Sequence, residues 1–405
     1  MSSGTATDEN PETINYIGFN QDAKVVAVGH KEGYMFYKTA DILENSTLTY
    51  EGENLGSLGL NNCLIIERLF SSALMVVISQ KDPRVLHVYH FTSRNIICDH
   101  RFNKSVLTVR LNRERIVVCL EDCIFIYNLK DMKMMHTIMD TPMNKLGVLD
   151  MTSNAGNALV AYPGSTDTGS VHLFDAINLS SVNTFVAHEG TLACLKFNQD
   201  GNMIATASTK GTVIRVYSVP TGNRLFEFRR GVSRCVTIYS LCFSSDSKYL
   251  ASSSNTETVH VFKLEKTEEG SSKPEAATEG AGWFDTINKT ISAYMPSQVM
   301  QVSELMTTER SFATAKLPGA TRSNQVALVA HKNQQYVMAA TSDGYVYAYR
   351  VDPEGGELDN VKQHRIGPQS ESCRISPTGE KKESNQSVPN MDDPDDFPPM
   401  SHTSG

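Results

Sequence analysis

The chain has 405 residues, 40% of them hydrophobic, which is enough for two or three ordinary domains or one large repeat fold. Its formal charge of −8 argues against a general nucleic-acid binder, because contacts with a phosphate backbone favour a basic surface. We therefore expect no nucleic-acid partner, and any basic site must be local.

The amino-terminal residues 1–11 carry neither a basic end nor an apolar stretch, so we expect a disordered segment rather than a signal peptide. The most apolar run of the chain contains Glu67 and Arg68, and no run reaches the roughly 18 apolar residues that indicate a spanning helix. The eight cysteines show no CxxC pair. These features predict a cytoplasmic protein that meets membranes only at their surface.

Short strand-like phrases that end near an aromatic residue recur along the chain. Their aromatic residues are Tyr37, Tyr89, Tyr127, Phe174, Tyr217, Phe262 and Tyr349. All gaps but the last lie between 38 and 52 residues, and a period of about 40 to 45 residues with several short strands is typical of propeller blades. The spacing predicts an all-β, seven-bladed, WD40-like β-propeller over residues 12–366, with four antiparallel strands in each blade.

The last gap, of 87 residues, could hide an eighth blade. Residues 266–310 show no strand alternation and begin with a polar, Gly- and Pro-containing composition, so we interpret them as an insertion in blade six. The run SFATAKL then supplies the outer strand of that blade. Because the first and last copies each have four strands of their own, the ring should close without strand exchange.

After Ile366 the chain has too few large apolar residues to form a core. We expect residues 367–405 to be a disordered acidic tail.

The run LFEFRRG, from Leu225 to Gly231, alternates apolar and polar residues as a strand does. Successive strand side chains point to opposite faces, so Arg229 and Arg230 should reach into different clefts. A guanidinium suits phosphate because it donates two parallel hydrogen bonds, although an Arg-Arg pair alone could equally be a solvated strand edge. Between Thr209 and Arg234 the net charge is +5, in an acidic chain.

Hydroxyl-rich turns flank this basic strip on both sides. The flanking residues that could complete a phosphate cradle are Thr206, Ser208, Gly211, Thr212, Ser254, Thr256, Thr258 and His260. Hydroxyls donate to phosphate oxygens and glycine allows close approach of the backbone, but Ser and Thr also satisfy backbone groups in ordinary turns. The residues alone leave both interpretations open.

Motifs of catalysis are absent from the sequence, which contains no GxSxG, Walker A, GxGxxG or HExxH stretch. We expect no catalytic residues, no metal, no cofactor and no enzymatic activity.

The runs ATASTKGTVIRVYSVPTGNRLFEFRRG and SSNTETVHVFKLE closely resemble the PROPPIN family, called WIPI proteins in animals. These are seven-bladed propellers that bind phosphatidylinositol 3-phosphate and phosphatidylinositol 3,5-bisphosphate in autophagy. The similarity extends over about residues 12 to 366, although the WD dipeptide is missing.

The resemblance implies two lipid-headgroup sites on either side of the motif Phe228, Arg229, Arg230 and Gly231. The first site would comprise His188, Thr206, Ser208, Gly211, Thr212, Arg215 and Arg229. The second site would comprise Arg230, Ser254, Thr258 and His260. Arg215 could instead be a structural strand residue.

The insertion contains apolar residues at spacings of three and four, namely Trp283, Phe284, Ile287, Ile291, Tyr294 and Met295. This pattern predicts a short amphipathic helix suited to a headgroup layer, and the resemblance implies a loop that enters the bilayer. The alternatives are that the segment packs on the propeller or stays disordered.

The resemblance implies a phosphoinositide effector that recruits autophagy machinery to phagophore, autophagosomal and endosomal membranes. Implied partners are an autophagy lipid-transfer protein and the scaffold of the complex that lipidates the ubiquitin-like modifier. A second basic run, from Arg101 to Arg115, could be a partner surface or a solvated face. The alternative function is a general WD-repeat scaffold whose basic strip binds an acidic protein.

Overall fold

The structure is a computed structural model that describes residues 14–154, 156–231, 235–265 and 311–370. These residues form seven sheets, and each sheet contains four antiparallel strands. The expected seven-bladed β-propeller is confirmed. Regular helix in the described residues is limited to α1 (Thr39–Glu44) and a 3-10 turn at Gly56–Leu58.

The blades follow one another along the chain. Blade one contains β1 (Ile14–Phe19), β2 (Val25–His30), β3 (Gly33–Lys38) and β4 (Glu51–Asn54). Blade two contains β5 (Cys63–Arg68), β6 (Leu74–Ser79), β7 (Val85–His90) and β8 (Asn95–Arg101). Blade three contains β9 (Thr108–Leu111), β10 (Arg115–Cys119), β11 (Ile124–Asn128) and β12 (Met134–Ile138). Blade four contains β13 (Asp150–Met151), β14 (Leu159–Pro163), β15 (Gly169–Asp175) and β16 (Ser180–His188).

The remaining three blades complete the ring. Blade five contains β17 (Leu192–Phe197), β18 (Met203–Ser208), β19 (Val213–Ser218) and β20 (Arg224–Arg229). Blade six contains β21 (Ile238–Phe243), β22 (Tyr249–Ser254), β23 (Thr258–Lys263) and β24 (Ala313–Lys316). Blade seven contains β25 (Asn324–His331), β26 (Gln334–Thr341), β27 (Tyr345–Arg350) and β29 (Asn360–Arg365). The short β28 (Gly356–Glu357) crosses from blade seven and pairs in parallel with β24.

The recurring aromatic residues explain why the sequence repeats. Each of the seven lies in the third strand of its blade, and none is more than 6% exposed. The apolar clusters around these strands join neighbouring blades, as where Phe228 of blade five packs with Phe262 of blade six. Burial of large aromatic side chains between the sheets is therefore a main contribution to the stability of the ring.

The repeated turns between first and second strands also have a shared cause. The side-chain oxygens of Asn20, Asn198 and Ser244 each accept a hydrogen bond, at 2.9 Å, from the backbone N–H five residues later. These three side chains are nearly fully buried. The sequence repeats here, as FNQD at residues 19–22 and 197–200 and FSSD at 243–246, because each turn needs a short polar side chain that satisfies its backbone groups.

The ring closes as expected, because blades one and seven each retain their own four strands. They are joined by packing in one apolar cluster that includes Val28 and Val346. His364 donates from Nε2 to the carbonyl of Ile42 at 3.0 Å, and the backbone N–H of Gly367 donates to the Tyr37 hydroxyl at 2.9 Å. The described chain continues past Ile366 to residue 370.

Charged side chains line the central cavity, which has a volume of about 320 Å³. Asp150, only 1% exposed, accepts hydrogen bonds from Arg110, Lys196 and the backbone of Phe197. Arg110 also pairs with Glu67 at 2.8 Å. Mutual pairing is what makes charges tolerable at such depth.

The basic run from Arg101 to Arg115 was expected to be a partner surface or a solvated face. Both interpretations are wrong for Arg110 and Arg115. Arg110 lies in the central network, and Arg115 is 7% exposed and donates to the carbonyl of Ala176 at 2.8 Å. Arg110 lies on the face of β9 opposite the buried Val109 and lines the central cavity, whereas Arg115 begins the buried strand β10. A run of charges in the sequence does not reveal these placements.

Blade six is interrupted between its third and fourth strands. β23 and β24 pair in antiparallel register although residues 266–310 lie between them in the sequence. The expectation that SFATAKL supplies the outer strand is confirmed by β24. The predicted helix from Trp283 to Met295 lies outside the described residues, as does the tail from residue 371.

Candidate functional site

The outer strand of blade five, β20, faces two different blades. Phe228 is 1% exposed, and its ring stacks on Phe262 of blade six with centroids 4.8 Å apart. Glu227, its neighbour, turns the other way and accepts a hydrogen bond from Arg215 Nε at 2.7 Å. Arg215 in turn donates to the carbonyl of Ala187 in blade four at 2.6 Å.

Arg230 lies in the cleft between blades five and six. Its backbone N–H donates to the carbonyl of Thr212 at 3.0 Å, which anchors the chain just beyond the end of β20. Its guanidinium Nη2 donates to Ser254 Oγ at 2.8 Å and to Thr256 Oγ1. The arginine is thereby attached to the end of β22 and to the loop that follows.

Arg229 is half-buried and lies opposite Val213 in the sheet of blade five. Strand alternation puts it on the same face of β20 as Glu227, toward blade four. The adjacent arginines are thus on opposite faces, each beside a different cleft.

The cleft between blades four and five contains a buried histidine. His188 ends β16 and is 4% exposed, and its Nε2 is 2.8 Å from Thr206 Oγ1. Thr206 lies in β18 and is fully buried, so the hydroxyl that contacts His188 is not exposed to solvent. Ser208 ends β18, two positions after Thr206, and is 6% exposed.

Gly211 lies in the turn between β18 and β19 in a conformation that requires glycine. Its φ is +63°, and a Cβ at this position would lie 2.0 Å from the carbonyl oxygen of Val236, on the segment that leads into blade six. Its N–H donates to the carbonyl of Ser208 at 2.9 Å, which closes the turn just before Thr212. At Gly231, by contrast, a Cβ would meet nothing within 4 Å.

The second cleft is rich in buried hydroxyls. Ser254 is 1% exposed, and His260 lies directly opposite the fully buried Ser252 in the sheet. Among the described residues, His260 Nδ1 and Ser252 Oγ are buried without a hydrogen-bond partner. Buried polar atoms of this kind are uncommon and point to a site that a polar ligand or water would complete.

Two features of the second cleft were not in the expected ligand set. Thr256 contacts Arg230 directly, and the exposed Lys316 lies opposite Thr258 at the end of β24. Because the whole insertion separates Lys316 from β23 in the sequence, its position beside Thr258 could not be predicted from sequence proximity. Thr256 was one of several hydroxyls in a single run, and nothing in the sequence distinguished it.

Part of the basic strip is neutralised within blade five. Glu227 accepts from both Arg215 and Arg224, at 2.7 and 2.8 Å. The pairing of Arg215 with Glu227 and with the Ala187 carbonyl favours its interpretation as a structural strand residue. Arg234 lies outside the described residues.

Burial sets the electrostatics of both histidines. Burial, with a further contribution from the charge of Arg215, lowers the pKa of His188 to about 4. Burial and the charge of Arg230 likewise lower the pKa of His260 to about 4. Both imidazoles are therefore neutral at pH 7 in the unliganded protein, and the positive charge of the clefts comes from arginine and lysine.

No helix in the described residues has both the length and the apolar character needed to cross a bilayer. Nor does that part of the chain bring together three or more His, Cys, Asp or Glu side chains that could hold a metal ion.

Comparison with known proteins gives concordant matches. The family model described as PROPPIN matches residues 13–366. The chain is 84% identical to autophagy-related protein 18 of Caenorhabditis elegans, over 100% of both sequences. It is 43% identical to WD repeat domain phosphoinositide-interacting protein 2 of Xenopus laevis, over 89% of this chain and 81% of that protein. Its fold is similar to KlAtg21 in a complex with the coiled coil of AgAtg16, with a TM-score of 0.65, 23% identity, and coverage of 87% and 99%.

The buried histidines predict a loss of stability in acid. Between about pH 6.5 and 4 the unfolded chain binds protons that folded His188 and His260 exclude, so the free energy of unfolding should fall as the pH drops through this range. We expect His188→Gln to remove on the order of 1 kcal/mol or more of this pH dependence. Denaturant unfolding at several pH values measures it, and an unchanged slope in the variant would contradict the assignment.

Proposed function

Because the chain belongs to the PROPPIN family, we propose that it is a non-enzymatic phosphoinositide effector that binds membranes through the two clefts beside the FRRG motif. The headgroups would be those of phosphatidylinositol 3-phosphate and phosphatidylinositol 3,5-bisphosphate.

The observation that carries this proposal is the placement of Arg230. Its guanidinium is hydrogen-bonded at the cleft to Ser254 and Thr256, beside the neutral and half-buried His260. A fixed guanidinium with hydroxyls and an imidazole around it is the donor set that phosphate oxygens require. Because the protein as a whole carries a formal charge of −8, an anion is attracted only close to this guanidinium.

The opposite-facing arginines support two sites rather than one. Arg230 would serve the cleft with Ser254, Thr258 and His260, and we add Lys316 because it lies opposite Thr258 in the sheet. Arg229 would serve the cleft with His188, Ser208 and Thr212. Two headgroups on one membrane can be bound together, and their joint avidity exceeds the affinity of either site.

The names of relatives support a role in autophagy. One relative is named for autophagy and another for interaction with phosphoinositides, and KlAtg21 is found in complex with an Atg16 coiled coil. We extend these roles to this chain: it would be cytoplasmic, move to phagophore, autophagosomal and endosomal membranes, and there recruit the lipidation scaffold and an autophagy lipid-transfer protein.

The insertion of blade six would add a third membrane contact. It joins β23 to β24, and these strands carry His260 and Lys316 of the second cleft. An amphipathic segment from Trp283 to Met295 at this place would enter the headgroup layer next to a bound phosphoinositide.

Vesicle binding tests the two sites. Arg229→Ala and Arg230→Ala should each weaken binding to vesicles containing phosphatidylinositol 3-phosphate by about tenfold, and the double variant should lose binding, because each change removes a charge-assisted contact from a different cleft. Co-sedimentation over a range of lipid concentrations measures the effect.

Arg224→Ala is the matched control for this test. It removes one positive charge from the same strand, but its side chain pairs with Glu227. It should bind as the wild type does. Undiminished binding by the double variant, or equal binding of the wild type to vesicles without phosphoinositide, would refute the assignment. Capture of an acidic peptide without lipid, dependent on both arginines, would favour the scaffold function instead.

Deletion of residues 283–295 tests the insertion separately. We expect the deletion to weaken vesicle binding while leaving the affinity for soluble inositol 1,3-bisphosphate unchanged, because the clefts lie in the propeller. Calorimetry with the soluble headgroup and co-sedimentation with vesicles give the two values. An unchanged vesicle affinity would mean that this segment is not an anchor.

A further inference from the structure

Two hydroxyls and one guanidinium nitrogen form a closed set of hydrogen bonds in the second cleft. Nη2 of Arg230 donates to Ser254 Oγ at 2.8 Å and also to Thr256 Oγ1. The two hydroxyl oxygens are themselves 3.0 Å apart and hydrogen-bonded to each other. Thr256 follows Ser254 by two residues, and its backbone N–H points back to Ser254 Oγ at 3.4 Å.

Ser254 Oγ and Thr256 Oγ1 both accept from the same guanidinium nitrogen of Arg230. Because a guanidinium is planar, two acceptors on one nitrogen restrict the orientation of the whole group. Of the two hydroxyl hydrogens, one is used between the oxygens, so the pair also retains one O–H that can donate to an anion.

Among the described residues, no such hydroxyl pair follows Ser208 in the first cleft. The residue after Ser208 is Thr209, and its hydroxyl bonds to Thr191 Oγ1 at 3.2 Å within blade five. The loop there continues through Gly211, whereas the loop of blade six carries Thr256 beside Ser254. The hydroxyl pair that holds an arginine is therefore a feature of the second cleft.

We infer that Thr256 is a positioning residue of the second cleft, which acts on the headgroup phosphate by orienting Arg230. The inference rests on the proposed function, since it names how one of the two sites is organised. Ser254 is nearly fully buried and forms the base of the set, and the half-buried Thr256 closes it from the solvent side. Without Thr256, Nη2 loses one of these two acceptors, and the orientation of the guanidinium is less restricted.

The test is a double-mutant cycle in vesicle binding with phosphatidylinositol 3-phosphate. Thr256→Val keeps the shape and removes the hydroxyl, and it should weaken binding by about three- to tenfold. Thr256→Ser keeps the hydroxyl and should bind as the wild type does. Thr209→Val is the matched control in blade five and should have no effect.

The cycle distinguishes positioning from a merely structural role. In the Arg230→Ala background, Thr256→Val should cause no further loss, because the group that it orients is gone. In the Arg229→Ala background, its effect should be fully retained. An equal further loss in both backgrounds would overturn the inference, and so would wild-type binding by Thr256→Val.

The outcomes separate this inference from the proposed function. If Arg230→Ala weakens binding and Thr256→Val does not, only the positioning role of Thr256 is wrong. If the wild type does not distinguish vesicles with and without the lipid, both are wrong. If Thr256→Val lowers the thermal unfolding midpoint, Thr256→Ala replaces it in the same cycle, with the same expected and contradicting results.

Discussion

Adjacent side chains of a β-strand point to opposite faces of the sheet. The candidate site depends on this alternation in one strand, β20. β20 is the outer strand of blade five, so one of its faces looks toward blade four and the other toward blade six. Phe228 stacks on Phe262 of blade six and Glu227 pairs with Arg215, which reaches blade four. Arg230 contacts Ser254 of blade six, and alternation puts Arg229 on the side of blade four, so we propose that a single motif contributes to two clefts.

The clefts exist only if the blades hold their positions relative to one another. Apolar clusters join the blades, and paired charges around Asp150 line the central cavity. Because the ring closes without strand exchange, apolar packing and hydrogen bonds such as that from His364 to the carbonyl of Ile42 hold blades one and seven together. The same framework buries His188 and half-buries His260, and this burial keeps both imidazoles neutral at pH 7.

Sequence predicted most of the fold because its signals are local. The aromatic of each third strand recurs at blade spacing, and the composition of residues 266–310 marked the insertion. The site was less predictable, since contacts there join distant residues. Lys316 lies opposite Thr258 across the insertion, and only the geometry of Arg230 distinguishes Thr256 from neighbouring hydroxyls. The basic run was misinterpreted at Arg110 because local charge does not reveal which positions face the interior.

The stoichiometry of headgroup binding tests the central claim most directly. Calorimetric titration with soluble inositol 1,3-bisphosphate should give two equivalents bound per chain for the wild type and one for either Arg229→Ala or Arg230→Ala. A single equivalent in the wild type, abolished equally by either substitution, would show that the two arginines serve one pocket and would contradict the account.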